Sequence, residues 1–319
     1  MIKPGSKTIF AAFILISIII LALTNVKGSR VLSDTPAAEA SPDTAIFVKP
    51  YRLPENVTFA GEKMPLDNFD TRESLDREIL TSAYRHSSTI LIIKRANRYL
   101  PVIEKILKEN DIPDDFKYLA AAESEYSNMI SPAGATGFWQ IMEATGREQG
   151  MEINSVVDER YDVEKSTQFA CDYFRKSYER FGNWTLAAAS YNGGRTAMDE
   201  QIRIQNQSNY YDLLLAEETA RYIFRAVAYK LIISDPDNYG FTIENDELYP
   251  ELKYFEVKVD SAITDFSEFA RQYGTNYKLL KFLNPWLRKP YLPPRPNKEY
   301  FIKIPAEGMR NPERTESAN

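Results

Sequence analysis

From Thr71 to about Ile233, apolar residues recur every three or four positions, the spacing of helices that bury one face. Between Asp162 and Phe181, Val163, Ser166, Phe169, Ala170, Tyr173, Phe174, Ser177 and Phe181 fall on one side. Asp162 stands where an N-cap is wanted, and Gly182 where a left-handed stop is wanted. The pattern gives about six to eight helices and no strand in this stretch. After Tyr249 it changes. Phe255, Val257 and Val259 alternate with Glu256, Lys258 and Asp260, which predicts a strand. Ile263, Phe266, Phe269, Ala270 and Tyr273 then recur at helical spacing up to Gly274. Leu279, Leu280 and Leu283 predict a second short helix stopped by Asn284-Pro285, and Tyr300 to Ile304 alternates as a last strand. Pro290, Pro293, Pro294 and Pro296 mark the loop between them. The fold class is mainly α, with a small β-α-α-β module at the end.

The beginning of the chain follows neither pattern. Lys3 and Lys7 precede an apolar run from Ile9 to Leu23, interrupted by Ser17, which is the layout of an export signal. The run is shorter than the roughly 20 apolar residues of a comfortable membrane span. Residues 1–28 are therefore expected to be an export signal, either cleaved near Val26-Lys27-Gly28 or retained as an inner-membrane anchor through residues 9–26. Either outcome directs the protein to the periplasm or cell envelope. Prolines at 36, 42, 50, 54 and 65, with few sustained apolar patterns, predict an extended linker or surface arm over 29–69. The expected division then runs 70–243 for the helical domain, 250–306 for the small module and 307–319 for a polar tail.

Composition narrows the function classes. The chain has 319 residues, 44% hydrophobic and 13% aromatic, enough for an ordinary core. Its formal charge, 39 − 45 = −6, argues against nucleic acid as the main partner, which asks for a basic face. Cys171 is the sole cysteine, so no disulfide within the chain and no thiolate cluster can form. With Phe174 and Tyr178 at helical spacing from it, it reads as a small buried hydrophobe. His86 is the sole histidine, which removes a His-rich metal site; no nucleophile-elbow motif accompanies it, which argues against a Ser-His-Asp triad. No metal or cofactor is expected.

The segment from Asp111 to Tyr126 carries the first chemical candidate. Pro113 suits a first helical turn, and Asp114 and Asp115 favour its positive end. Phe116, Leu119, Ala120 and Glu123 stand at i, i+3, i+4 and i+7, which puts Glu123 on the apolar stripe of its own helix. A carboxyl facing a packed surface is desolvated and keeps its proton near neutral pH. Glycoside cleavage needs such a group to protonate the leaving oxygen. A helix-end glutamate turned to solvent fits this segment alone equally well. Three more segments bear on the choice. Ser131 to Met142 is a glycine-bearing loop leading into Trp139 and Gln140; Tyr191-Asn192-Gly193-Gly194 follows an alanine-rich helix; Glu217 to Tyr222 opens another helix with acidic residues in its first turn.

In this order and spacing the segments resemble the soluble-type lytic transglycosylases, the lysozyme-like family that includes the membrane-bound type D enzymes. Glu123-Ser124 resembles the family's catalytic Glu-Ser pair, Gly137-Phe138-Trp139-Gln140 its Gly-Leu-Met/Trp-Gln motif, Tyr191-Asn192 its Ala-Tyr-Asn motif, and Tyr222 the tyrosine of its fourth motif. Asp158-Glu159-Arg160 and Phe181 to Trp184 resemble the sequence between, and the resemblance spans about Ile112 to Lys230. Ser190 stands where the family commonly has Ala, Gly193 where it has Ala, and Glu143 where Pro is usual.

The resemblance implies a lysozyme-like α-helical domain that cuts the β-1,4 bond between N-acetylmuramic acid and N-acetylglucosamine and leaves a 1,6-anhydro ring. In that reading Glu123 is the catalytic acid and then base. Ser124 orients it or the glycan, Gln140 and Asn192 bind acetamido groups, Tyr191 and Tyr222 bracket Glu123, and Phe138 and Trp139, beside Gly137, supply apolar wall or a stacking surface. Glu125, about 200° around a continuing helix from Glu123, would not share its cleft. The C-terminal module resembles a lysin motif, although Asp260-Ser261-Ala262-Ile263 replaces the usual Gly-Asp-Thr-Leu turn. As an appended glycan binder it is expected to be dispensable for chemistry on short soluble glycans. The implied partners are peptidoglycan strands and, through the N-terminal segment, a membrane. Two rivals remain at this point: a goose-type lysozyme-like hydrolase using Glu143 or another carboxylate to activate water, and an inactive wall-binding scaffold.

Overall fold

The computed structural model describes residues 49–311, so the expected export signal lies outside the described residues, as do much of the linker and the end of the polar tail. A two-strand hairpin, β1 (Thr58–Phe59) and β2 (Glu62–Lys63), leads into eight helices. These are α1 (Phe69–Ala83), α2 (His86–Glu109), α3 (Lys117–Ser124), α4 (Glu143–Glu148), α5 (Val163–Phe181), α6 (Trp184–Gly193), α7 (Arg195–Gln205) and α8 (Glu217–Ser234). Local chemistry sets the boundaries. Asp162 caps α5 by accepting from the Lys165 N–H, and Gly182 ends it at φ 73°. Asn183 caps α6 by accepting from the Leu186 N–H.

Helix α8 packs against α1, α3 and α6, and α5 packs against α2 and α6. The centre is dense with aromatic side chains: Phe116 lies 5.4 Å from Phe59, 4.5 Å from Phe174 and 5.4 Å from Trp184 between ring centroids. Such tilted and edge-on pairs contribute about 0.5–1.5 kcal/mol each beyond the area they bury.

The last part of the expected linker belongs to this core. Val57, Phe59, Met64 and Leu66 are buried in it. The hairpin is also pinned by polar contacts: the Ala60 N–H donates to Asp115, and Lys230 donates to the Thr58 carbonyl and to Asp115. The Glu62 carboxylate sits on the amino end of α6, accepting from the Trp184 and Thr185 N–H groups at 2.6 and 2.9 Å. Four apolar residues spread among prolines show no period, so the sequence hides a hairpin whose burial comes from long-range contacts.

The C-terminal module is built as the alternation predicts. Strand β3 (Tyr254–Val259) pairs antiparallel with β4 (Tyr300–Pro305), and α9 (Phe266–Gln272) and α10 (Tyr277–Leu283) lie between them. Asn284, fully buried, donates to the Leu280 and Lys303 carbonyls and accepts from the Lys303 N–H, tying α10 to β4. Its apolar core takes in two residues from the helical part, Val157 and Tyr161. Among the described residues, 50–311 belong to one compact unit. Among the described residues no helix is long and apolar enough to cross a membrane.

Candidate active site

Helix α3 ends at Ser124, and the next two residues, Glu125 and Tyr126, both have left-handed backbone (φ 54° and 52°). Gln140, in the Gly137–Gln140 motif, has left-handed backbone too (φ 47°). Such conformations cost roughly 1–3 kcal/mol and persist only where surrounding contacts enforce them. Glu125 and Tyr126 directly follow Glu123, the last residue but one of α3.

Glu123 stands half-buried at a cleft of about 510 Å³ lined by α1, α3 and α8. Loss of solvent is the main influence on its carboxyl and pushes its pKa up from 4.5 to about 7. The Tyr222 hydroxyl donates to its Oε1 at 2.6 Å and works in the opposite direction, as does Arg225, while Glu218 adds to the rise. Burial keeps the phenols of Tyr222 and Tyr191 far above their ordinary range, so both remain protonated donors.

Of the remaining residues singled out in the sequence, Tyr191 and Tyr222 face Glu123, and most of the others hold backbone. Ser124 is buried, and its hydroxyl donates to the Phe138 carbonyl at 2.8 Å. Tyr191 donates to the Trp139 carbonyl at 2.7 Å. The loop carrying Phe138 and Trp139 is thus hung from α3 and α6 at two successive carbonyls. Trp139 is fully buried and donates through its indole nitrogen to Thr167, and Phe138 is 2% exposed. Neither ring can offer a stacking surface to a sugar, which corrects that expectation. Ser124 likewise cannot touch a glycan with a hydroxyl turned inward. Gly137 has φ 84°, and a Cβ there would fall 1.9 Å from the Arg160 carbonyl oxygen, so glycine is the residue this close approach admits. Gln140 remains half-buried, its amide donating to the Gly137 and Met129 carbonyls. Asn192 accepts from the Thr219 hydroxyl at 2.8 Å, leaving its NH₂ group for other partners.

Three carboxylates need new places. Because α3 stops at Ser124, Glu125 does not turn away; it lines the same cleft as Glu123 and pairs with Arg85 at 2.5 Å. Glu143 does not share a helix face with Gln140, since α4 begins at Glu143; it is exposed and paired with Arg147. Glu78, which sequence reasoning missed, is 1% exposed in the cleft wall and is held by Arg221 at 2.7 Å and Arg225 at 3.5 Å. The available signal was Arg221 and Arg225 at i, i+4 in an otherwise apolar stretch of α8; their partner lies 143 residues from Arg221.

A desolvated, protonated carboxyl steadied by a tyrosine beside an open cleft can deliver a proton to a bound leaving group. Residues 101–214 match the family model described as the transglycosylase SLT domain. Residues 255–308 match the soluble lytic transglycosylase C-terminal LysM-like domain. The chain carries an SLT domain followed by a LysM-like domain. Among curated proteins it is similar to the membrane-bound lytic murein transglycosylase D of Escherichia coli K12 and of E. coli O6:H1, each 28% identical over 191 residues, 57% of this chain. The aligned stretch covers 41% of the length of those relatives. Among solved structures, the 70 kDa soluble lytic transglycosylase of E. coli is 19% identical over 47% of this chain and 26% of its own, with a TM-score of 0.36. An inactive mutant of the lytic transglycosylase Slt of Pseudomonas aeruginosa gives 18% and 0.34 over the same shares. The SLT match holds Glu123, the Gly137–Gln140 loop, Tyr191 and Asn192; it ends before α8, the helix that brings Tyr222, Arg221 and Arg225 to the cleft.

Proposed function

We propose that this protein is a peptidoglycan lytic transglycosylase that cleaves the β-1,4 bond between N-acetylmuramic acid and N-acetylglucosamine, with Glu123 as both acid and base. The observation that carries the reading is the Glu123 carboxyl itself, raised to about 7 by burial and hydrogen-bonded by Tyr222 at the cleft. In the proposed step Glu123 gives its proton to the glycosidic oxygen, and the bond from that oxygen to C1 of muramic acid breaks. The substrate's N-acetyl carbonyl stabilises the cationic C1. The Glu123 carboxylate then takes the proton of the C6 hydroxyl as O6 bonds to C1. The ring closes as 1,6-anhydromuramic acid, no water is consumed, and Glu123 ends protonated as it began.

Support comes from the cleft's other carboxylates. Glu78 and Glu125 are engaged by arginines and Glu143 is paired outside the cleft, which leaves only Glu218, exposed in the first turn of α8, among these carboxylates as a candidate to activate water near Glu123. In the same reading the free amide of Asn192 receives an acetamido group, Gln140 helps set the sugar's position, and Ser124, Tyr191 and Gly137 hold the loop between them. The homologous relatives' names and the N-terminal signal favour action in the cell envelope, with the membrane reached through residues 9–26. Digestion of purified sacculi, with borohydride reduction of half the products, tests the chemistry: anhydro ends resist reduction and hydrolysed ends do not.

A further inference from the structure

A separable glycan binder would touch the catalytic part lightly, yet the LysM-like domain is joined to residues 152–161 by backbone, apolar and charged contacts together. The Asp158 N–H donates to the Trp286 carbonyl at 2.9 Å, and the Arg288 N–H to the Val156 carbonyl at 2.7 Å. Val157 bridges Leu287, both 1% exposed, and the Arg288 guanidinium lies 3.9 Å above the Tyr161 ring. Glu152 receives Lys298 and the Tyr300 hydroxyl from the module.

The same ten residues support the loop beside Glu123. Asp158, whose backbone the module holds, grips Arg160 through two bonds of 2.9 and 2.8 Å. Arg160, buried, donates to the Ile141 and Gly134 carbonyls, and its own carbonyl is what Gly137 packs against. Asn128 donates to the Tyr161 carbonyl. Between Gly134 and Ile141 lie the two carbonyls to which Ser124 and Tyr191 are bonded.

We propose that the LysM-like domain is a positioning element for the Glu123 site: by fixing residues 152–161 it fixes the 134–141 loop. The inference rests on the proposed function for its catalytic readout, but its structural half stands apart from it. Loosening the loop would let water reach Glu123 from that side. The charged and titratable groups facing Glu123 are Glu218, Tyr222 and Arg225 from α8 and Tyr191 from α6, with Glu78, Arg85, Glu125, Arg221 and Tyr229 around the cleft. None belongs to the module, so a module effect on Glu123 is indirect, and the loop is the route proposed.

The test uses the full chain carrying Leu287→Ala with Arg288→Ala, the milder Arg288→Lys, and Phe301→Ser on the module's exposed side as a control. Hydrogen exchange reads the loop directly, and turnover of a soluble N-acetylglucosamine–N-acetylmuramic acid oligomer reads the site. The double variant should raise exchange in 134–141 about tenfold or more, and Arg288→Lys by less. It should lower kcat about tenfold while KM changes little, and move the alkaline limb of the rate profile to lower pH. Phe301→Ser should do none of this. Unchanged exchange in 134–141 in both interface variants, or a loosened loop with wild-type kcat and pH profile, would overturn the proposal. If the wild-type chain fails to cut the oligomer at all, the functional reading falls, and the exchange arm still decides whether the module fixes the loop.

Discussion

Tyr222 donates a 2.6 Å hydrogen bond to Glu123 across 99 residues of sequence, so α8 and α3 meet at a carboxyl that burial raises to about 7. The bond opposes the burial. Removing it in Tyr222→Phe should raise the Glu123 pKa further and shift the alkaline limb of the rate–pH profile upward. The loss of a positioned donor should lower kcat about tenfold. A profile that moves downward would mean that Tyr222 does not act on Glu123 in this way.

Glu123→Gln should cost on the order of 10²-fold or more in sacculus solubilisation, since the proton donor is gone. It should also carry a stability signature. The carboxyl is raised from 4.5 to about 7 in the folded protein, so keeping it neutral favours folding below 4.5 and that contribution is lost as pH rises through 7. The glutamine variant should therefore match wild type near pH 4 and exceed it above pH 7 by up to about 3 kcal/mol. Denaturant titrations at the two pH values measure this directly, and equal stability at both would remove the desolvated carboxyl from the account.

Glu78→Ala leaves Arg221 and Arg225 without their buried partner. Both guanidiniums are about one-quarter exposed, so the expected loss is moderate, about 1–3 kcal/mol by chemical denaturation. The freed positive charge beside Glu123 should also draw the alkaline limb to lower pH. A variant with unchanged stability and an unchanged limb would show that this triad is not part of the cleft's electrostatics.

The sequence made the helices legible where local chemistry decides them. Asp162 caps α5 and Gly182 ends it, as a short window of sequence indicates, and Asn183 caps α6 by the same local chemistry. Glu123, Tyr191, Asn192 and Tyr222 were singled out because resemblance supplied what spacing alone left open. The end of α3 was not legible: Glu-Ser-Glu-Tyr contains no glycine or proline, and the left-handed turn at Glu125 and Tyr126 is imposed by tertiary contacts. Those include Arg85 on the Glu125 carboxylate, Arg95 on its carbonyl and Tyr126 on the Lys117 carbonyl. Glu78 and the Val57–Leu66 hairpin were hidden for the same reason, since their partners lie far along the chain. Trp139 was misjudged because an aromatic beside a glycine loop reads alike whether it faces a cleft or the core.

Gly137 tests whether the loop's approach to Arg160 is as tight as its geometry indicates. Gly137→Ala puts a methyl 1.9 Å from a backbone oxygen at a positive φ, so neither strain nor clash can be relieved by a side-chain rotation. It should destabilise the protein by about 3 kcal/mol or more, whereas Gly134→Ala, with open space around its Cβ, should cost only the strain of its positive φ. Comparable unfolding midpoints for the two variants would contradict the packing described.

The central claim is that the C6 hydroxyl of muramic acid, not water, completes the cleavage begun by Glu123. Mass spectrometry of products from purified sacculi, half of them reduced with borohydride, reads this outcome at every new end. The expected muramic-acid ends are lighter by one water than hydrolysed ends and unchanged by reduction. Predominantly reducible ends would contradict it. They would mean that a carboxylate near Glu123, with Glu218, Glu125 and Glu78 as the candidates, activates water opposite it.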